Sequence, residues 1–230
     1  MYFVNRSEAG LRLASKLHKY KGKKCTVVAL SDGAVVVAIP IANMLQSTVT
    51  LLLTEPIHAP GEPEAVGSIN HDGGYSPSSH YSSGQHQAFH MEYHHVFEQQ
   101  KLQKLRHMHR LIGDGQVIRK DLLRNHHVIL VAEGLDSVSA IDAAVLFLKS
   151  INVTTLIVAT PFATIEVVDR MHILSDDIAC LNVVSNFLGV DHYYEQNDLP
   201  DHETVIRTVQ DSLRNWREPS KPKVITKKPI

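Results

Sequence analysis

Cysteine is scarce, with Cys25 and Cys180 the only two in 230 residues, so no disulfide framework can hold this chain together. Both lie beside strand-like apolar runs, which reads them as small buried hydrophobes in a reducing compartment and gives a cytoplasmic location as the expectation. An excess of either charge is also lacking. Lys and Arg number 23 against 24 Asp and Glu, for a formal net charge of -1, so there is no overall basic surface for nucleic acid. Long hydrophobic runs are absent too. The most apolar stretch, Ala34 to Leu53, is broken by Pro40, Asn43 and Gln46 and reads as a buried helix followed by a strand, not a membrane span. Met1 to Gly10 carries Arg6 and Glu8 without an apolar core behind a basic start, so no signal peptide is expected. Finally, no Gly-x-Ser-x-Gly elbow, Walker loop, Cys-x-x-Cys pair or internal repeat occurs, which leaves hydrolase, nucleoside-triphosphatase and zinc-ribbon chemistry without their usual anchors.

What is present is an alternation of short β-branched runs with helical periodicity. Ala9, Leu13 and Leu17 stand four apart, with Ala14 beside them, and form one face of an opening helix that Gly22 ends. Cys25 to Leu30 reads as a strand, Ser31-Asp32-Gly33 as a turn, Ala34 to Leu45 as a helix, and Thr48 to Thr54 as a second strand. Pro56, Pro60, Gly61 and Pro63 mark an irregular excursion. From Asn70 to Gly84 the composition is Gly, Ser, His and Tyr, which predicts a mobile loop. Ala88 to Leu111 then reads as a polar helix with Phe89, Val96, Leu102 and Leu105 as a thin apolar stripe. Further strands are expected at Val128 to Val131, Leu156 to Ala159 and Ile178 to Val184. Helices are expected around Ile141 to Leu148, Thr164 to Met171 and Thr204 to Leu213. Strand and helix in alternation mean an α/β fold with a parallel sheet covered on both faces. The apolar share of 43% suffices for one core. The expectation is a single domain over 1–218, with 55–112 inserted as a hood, a mobile loop and a polar helix. A basic tail over 219–230, with Lys221, Lys223, Lys227 and Lys228 among prolines, is expected to be disordered.

In an open parallel sheet, ligands bind where strand carboxyl ends meet helix amino ends. Two loops qualify: Ser31-Asp32-Gly33-Ala34, and Ala132-Glu133-Gly134-Leu135-Asp136-Ser137-Val138-Ser139 before Ala140. Several pieces around them occur in a familiar order. These are Arg6, Glu8-Ala9-Gly10 with Leu13, Ala14 and Leu17; the strand, turn and helix from Val27 to Ala42; and Ala59-Pro60-Gly61 with Pro63-Glu64 and Gly67. Val128-Ile129-Leu130-Val131 with Gly134 follows, then Cys180-Leu181 and Tyr194-Glu195. From Phe3 to Leu213 the chain resembles the stand-alone type I phosphoribosyltransferase-like proteins. The resemblance implies a parallel-sheet, Rossmann-like α/β fold with a small irregular hood, and a homodimer. It also implies phosphoribosyl pyrophosphate with Mg²⁺ as ligand, and transfer of ribose 5-phosphate to a nitrogen nucleophile. In the family's main motif two adjacent acids hold the ribose hydroxyls, and a Thr-Gly-x-Thr-like turn cradles the 5-phosphate.

Against that motif, Ala132 replaces the first acid and Glu133 keeps the second, which makes Glu133 the candidate catalytic residue. Ser137 stands for the first threonine. Val138 occupies a glycine position, where a β-branched side chain opposes positive φ or a close backbone approach. Asp136 sets a negative charge near the phosphate position, where like charges a few Å apart repel by about 1 to 4 kcal/mol at effective dielectrics of roughly 80 to 20. The family's Pro-Arg-Gly-Gly appears here as Ser31-Asp32-Gly33-Ala34, and its basic pair before Ala-Pro-Gly as Glu55-Pro56. These charge changes, at Asp136, Asp32 and Glu55-Pro56, share one direction and remove attraction for a polyanion. Two readings of the loops follow. They can be ordinary turns, with Ser139 and Asp142 forming a capping box, or the Asp136 carboxylate can itself occupy the anion site at the helix start.

Eight of the fifteen histidines lie between His71 and His109, and His86, His90 and His94 are four apart. On one helix face two such imidazoles can share Zn²⁺, with Glu98 continuing the row. The plainer reading is a solvated, histidine-rich face. His126-His127 mark the start of the central strand. Three functional expectations result. The first is a phosphoribosyltransferase-like binding or regulatory module with little or no transferase activity, taking a small phosphorylated or sugar-like ligand. The second is an active phosphoribosyltransferase using Mg²⁺ at an altered site. The third is a metal-binding protein using the His86, His90 and His94 helix.

Overall fold

The computed structural model describes residues 2–113 and 116–215, so the basic tail 219–230 and its boundary at 218 lie outside the described residues. Chain order is α1 (Arg6–Lys16), β1 (Cys25–Ala29), α2 (Asp32–Leu45), β2 (Thr48–Leu51), β3 (Thr54–Ile57), β4 (Gly67–Asn70), β5 (Tyr75–Pro77), α3 (Ser83–Glu92) and α4 (His94–Ile112). It continues with β6 (His127–Val131), α5 (Ser139–Lys149), β7 (Thr155–Thr164), α6 (Ile165–Leu174), β8 (Asp177–Val184) and α7 (His202–Asn215). A five-stranded sheet runs β2-β1-β6-β7-β8, and every neighbouring pair in it is parallel. The α/β reading with a covered parallel sheet is therefore shown.

Alternation along the strands builds two cores. Val27, Ala29, Ile129, Val131, Ile157 and Ala159 face α1, α2 and α7, while Val28, Val128, Leu130, Leu156 and Val158 face α5 and α6. Because both sheet faces are buried, the strands read as continuous apolar runs. The first two helices start on side-chain caps: Asn5 accepts from the Glu8 amide at α1, and Ser31 from the Ala34 amide at α2. Gly10 lets α1 lie directly on α2, since a Cβ there would overlap the Val37 carbonyl beside Pro40.

Several boundaries differ from the sequence expectation. Thr48 to Thr54 is not one strand, because the chain leaves the large sheet after Leu51 and Thr54 opens a separate three-stranded antiparallel sheet, β3-β4-β5. The Gly, Ser, His and Tyr segment from Asn70 to Gly84 contains β5 and a tight connection. There Asn70 Oδ1 accepts from the Asp72 and Gly74 amides, Gly73 takes φ +85, and His71, Ser76 and Ser78 are buried. A side-chain hydrogen bond substitutes for the missing aliphatic burial. The polar helix is broken in two at Tyr93, and its packed face matches the expected stripe only in part. Phe89 and Leu105 pack against buried Phe97 and Met108, while Val96 and Leu102 are exposed. Strand β7 runs on through Pro161 to Thr164, paired with β8 but well past the end of β6, and this extension reaches the loop after β6.

Candidate functional site

The chain leaves β1 through α2 to β2 on one side and resumes with β6, β7 and β8 on the other, so strand order reverses between β1 and β6. At such a switch point the loops after the two strands part and leave a crevice. Both candidate loops, 31–34 and 132–139, lie there, and the Leu30 amide still donates to the Val131 carbonyl at 3.0 Å just before they separate.

Glu133 fills the crevice. One carboxylate oxygen, Oε2, accepts from Arg6 Nε at 2.5 Å, and the other, Oε1, accepts from Ser31 Oγ at 3.0 Å. The carboxylate lies so close over Gly33 that a Cβ at that position would overlap it. Arg6 is 3% exposed and reaches two further acceptors, Asp191 Oδ1 at 2.7 Å and Asn197 Oδ1 at 3.2 Å, with Tyr194 4.6 Å from its guanidinium carbon to ring centre. Burial works against the Arg6 charge, yet the hydrogen bonds to Glu133 and Asp191 outweigh it and hold its pKa above the usual value. The Tyr194 hydroxyl donates to the Glu133 carbonyl at 2.6 Å. Its pKa is pushed up by burial, and by the Glu133 charge beside it. Main chain and carboxylate of Glu133 are thus both held by residues from the two ends of the chain.

The rest of the second loop is sewn into the sheet. The Leu135 amide donates to the Phe162 carbonyl and the Leu135 carbonyl accepts from the Thr164 amide, each at 3.1 Å, which makes Leu135 a bridge onto the extension of β7. Gly134 is needed for that approach, because a Cβ would enter the ring of buried Phe162. With Leu135 so paired, one backbone N–H of the expected cradle is already used. Ala132 is buried and offers no oxygen.

Two readings of this loop are corrected by the geometry. Asp136 is exposed, and among the described residues no hydrogen bond or ion pair engages its carboxylate, so it does not occupy the helix start. Nor is there a capping box: α5 begins after Val138 without a side-chain cap, Ser139 Oγ meets Ser137 Oγ at 3.0 Å, and Asp142 binds Arg170 at 2.8 and 2.9 Å. Val138 sits at φ -80, an ordinary conformation for a β-branched residue. In the first loop Ser31 is the α2 cap, and Asp32, in the first helical turn, meets His202 Nδ1 at 2.6 Å. Glu55 pairs with Lys104 on α4 at 3.4 Å.

Of the three candidate histidines, His86 and His90 are on α3, while His94 begins α4 beyond the break at Tyr93. His86 Nε2 lies 2.8 Å from the Ser78 carbonyl, and His90 is packed edge-on against Tyr75 and Phe97. Among the described residues no group of three or more His, Cys, Asp or Glu side chains is placed to hold a metal ion. At the switch point, where Mg²⁺ is the expected ion, both Glu133 oxygens are engaged by Arg6 and Ser31, and the neighbouring position of the motif is Ala132. His126, buried, faces Thr26 Oγ1 at 2.9 Å, in keeping with a place at the strand start.

Sequence reasoning quoted Arg6 and Tyr194 as family matches without assigning them to the site, and it missed Asp191, Asn197 and His202. Their partners are 61 to 191 positions away along the chain, so no local pattern reveals the pairing.

No family model matches the chain. Proteins from two strains of Mycobacterium tuberculosis, each named "putative phosphoribosyl transferase", are 24% identical over 218 residues, which is 94% of this chain and 48% of each relative. The chain therefore spans about half the length of the curated relatives it matches. The crystal structure of TT1426 from Thermus thermophilus superposes with a TM-score of 0.74 at 22% identity, covering 92% of this chain and 99% of that one. The chain shares the α/β fold of that structure, and its sequence is similar to proteins named as putative phosphoribosyl transferases, in line with the resemblance read from its residues. Among the described residues no helix is long and apolar enough to cross a membrane.

Proposed function

We propose that this chain is a phosphoribosyltransferase-fold binding or regulatory module that does not carry out phosphoribosyl transfer. One observation carries the reading. The Glu133 carboxylate at the switch point is bound through both oxygens to Arg6 and Ser31 and packed onto Gly33. A ribose would have to share this carboxylate with Arg6 or displace the guanidinium, and uncovering such a buried charge costs about 3 to 5 kcal/mol. Ala132 supplies no second acid to share that cost, and exposed Asp136 repels a phosphate at the neighbouring helix start. The free thiols of Cys25 and Cys180 suit a reducing, cytosolic setting.

The test is release of pyrophosphate from phosphoribosyl pyrophosphate with Mg²⁺, using a panel of purine and pyrimidine bases and ammonia as acceptors. No release above the protein-free rate is expected. Release that is lost in Glu133→Gln overturns the proposal and makes this an active transferase with an altered site.

A further inference from the structure

A second region of the molecule offers a cavity apart from the switch point. Between the last turn of α4 and one face of α7 lies a cavity of about 670 Å³, within the usual range for small-molecule sites. Its α7 wall presents Glu203, Ile206, Arg207, Gln210 and Arg214, spaced so that they share one face of the helix, and Arg110 of α4 stands opposite. Three guanidinium groups thus meet one carboxylate. Glu203 is taken by Arg207 at 3.0 Å, whereas among the described residues no carboxylate pairs with Arg110 or Arg214. Two guanidinium charges lining one cavity favour an anion between them. The carbonyls ending α4 contribute only about half a negative charge against these two positive ones.

The floor is different in character. Ile112 and Ile206 give it apolar surface, and the rim holds His202, whose Nε2 is buried without a hydrogen-bond partner while Nδ1 meets Asp32. Planar guanidinium forks suit phosphate oxygens, which they bind through two parallel hydrogen bonds, and the apolar floor suits the body of an organic ligand. We propose that this cavity binds a phosphorylated small molecule, held by Arg110 and Arg214 at its phosphate. Through His202 and Asp32 the bound ligand adjoins the first turn of α2, which also carries Gly33 beneath Glu133. The site is separate from the switch point and does not depend on whether Glu133 is catalytic.

ADP serves as the probe, titrated into the full chain by calorimetry and by amide chemical shifts. The Arg110→Gln/Arg214→Gln variant, both positions exposed and its fold checked by circular dichroism, should bind ADP at least about tenfold more weakly, the equivalent of one charge-assisted hydrogen bond. Arg214→Lys should fall between the two. Glu133→Gln should bind as the unaltered protein does, which separates this site from the transferase question. Failure of millimolar ADP to bind, or an affinity unchanged in the double variant, overturns the proposal.

Discussion

Replacing Arg6 by methionine keeps most of the side-chain volume and removes the guanidinium that Glu133, Asp191 and Asn197 share. Arg6 is 3% exposed and Glu133 16%, while Asp191 is 73% exposed, so the solvent-screened Asp191 pair contributes little and the Glu133 pair dominates. Taking one partner from a buried pair leaves the other uncompensated and costs about 3 to 5 kcal/mol. For a domain of this size each kcal/mol moves the melting temperature by about 2 to 4 °C, so the midpoint should fall by roughly 6 to 20 °C. Urea denaturation with an unchanged m-value reports the loss directly. Glu133→Gln tests the same pair from the other side. In the double variant Arg6→Met/Glu133→Gln neither charge remains, and the total loss should be smaller than the sum of the single losses by 1 kcal/mol or more, on the order expected for contacting residues. A cost below about 1 kcal/mol for Arg6→Met, or additivity within about 0.5 kcal/mol, refutes the view that this pair locks the crevice.

Other outcomes follow from neighbouring geometry. Gly33→Ala ought to stabilise an early helical position by up to about 1 kcal/mol, but its methyl would displace the pinned Glu133 carboxylate, so a net loss of about 1 to 3 kcal/mol is expected by chemical denaturation. In a Glu133→Ala background the same change should turn neutral or stabilising; a loss in both backgrounds contradicts the clash. Burial holds the His71 imidazole below its usual pKa, and His90 and His127 shift the same way, so the unfolded chain binds more protons between the lowered values and about 6.5. Stability should therefore be complete above that range and fall as pH drops through it. His71→Gln should flatten part of the slope, and stability that rises on acidification there would be the opposite result. Asp136→Ala, at an exposed side chain with no partner among the described residues, should change the unfolding free energy by no more than about 0.5 kcal/mol. A larger loss would show a contact that the geometry lacks.

The strand and helix alternation was legible because both faces of the sheet are buried, and residues such as Val128 to Val131 announce this locally. The two loops at the switch point were legible for the same reason. What the sequence hid is held by distant or side-chain contacts. The tight connection at Asn70 to Tyr75 is closed by one amide side chain, which composition alone does not reveal. The length of β7 was masked by Pro161, which reads as a strand end; in the structure the register with β8 passes over it, pairing Thr160 and Phe162 on either side. The break at Tyr93 leaves no local signature, and it divides the histidines that a continuous helix would have aligned. Most telling is Glu133. Its residue type and place in the motif pointed to a ligand, and only the fold brings Arg6 across 127 positions to claim it.

A crystal structure of the chain soaked with phosphoribosyl pyrophosphate and Mg²⁺ tests that assignment most directly. The account predicts that Glu133 stays on Arg6 and Ser31 with no ribose in the crevice between β1 and β6. Ribose hydroxyls within hydrogen-bond distance of the Glu133 carboxylate, with Arg6 displaced from it, would contradict the account.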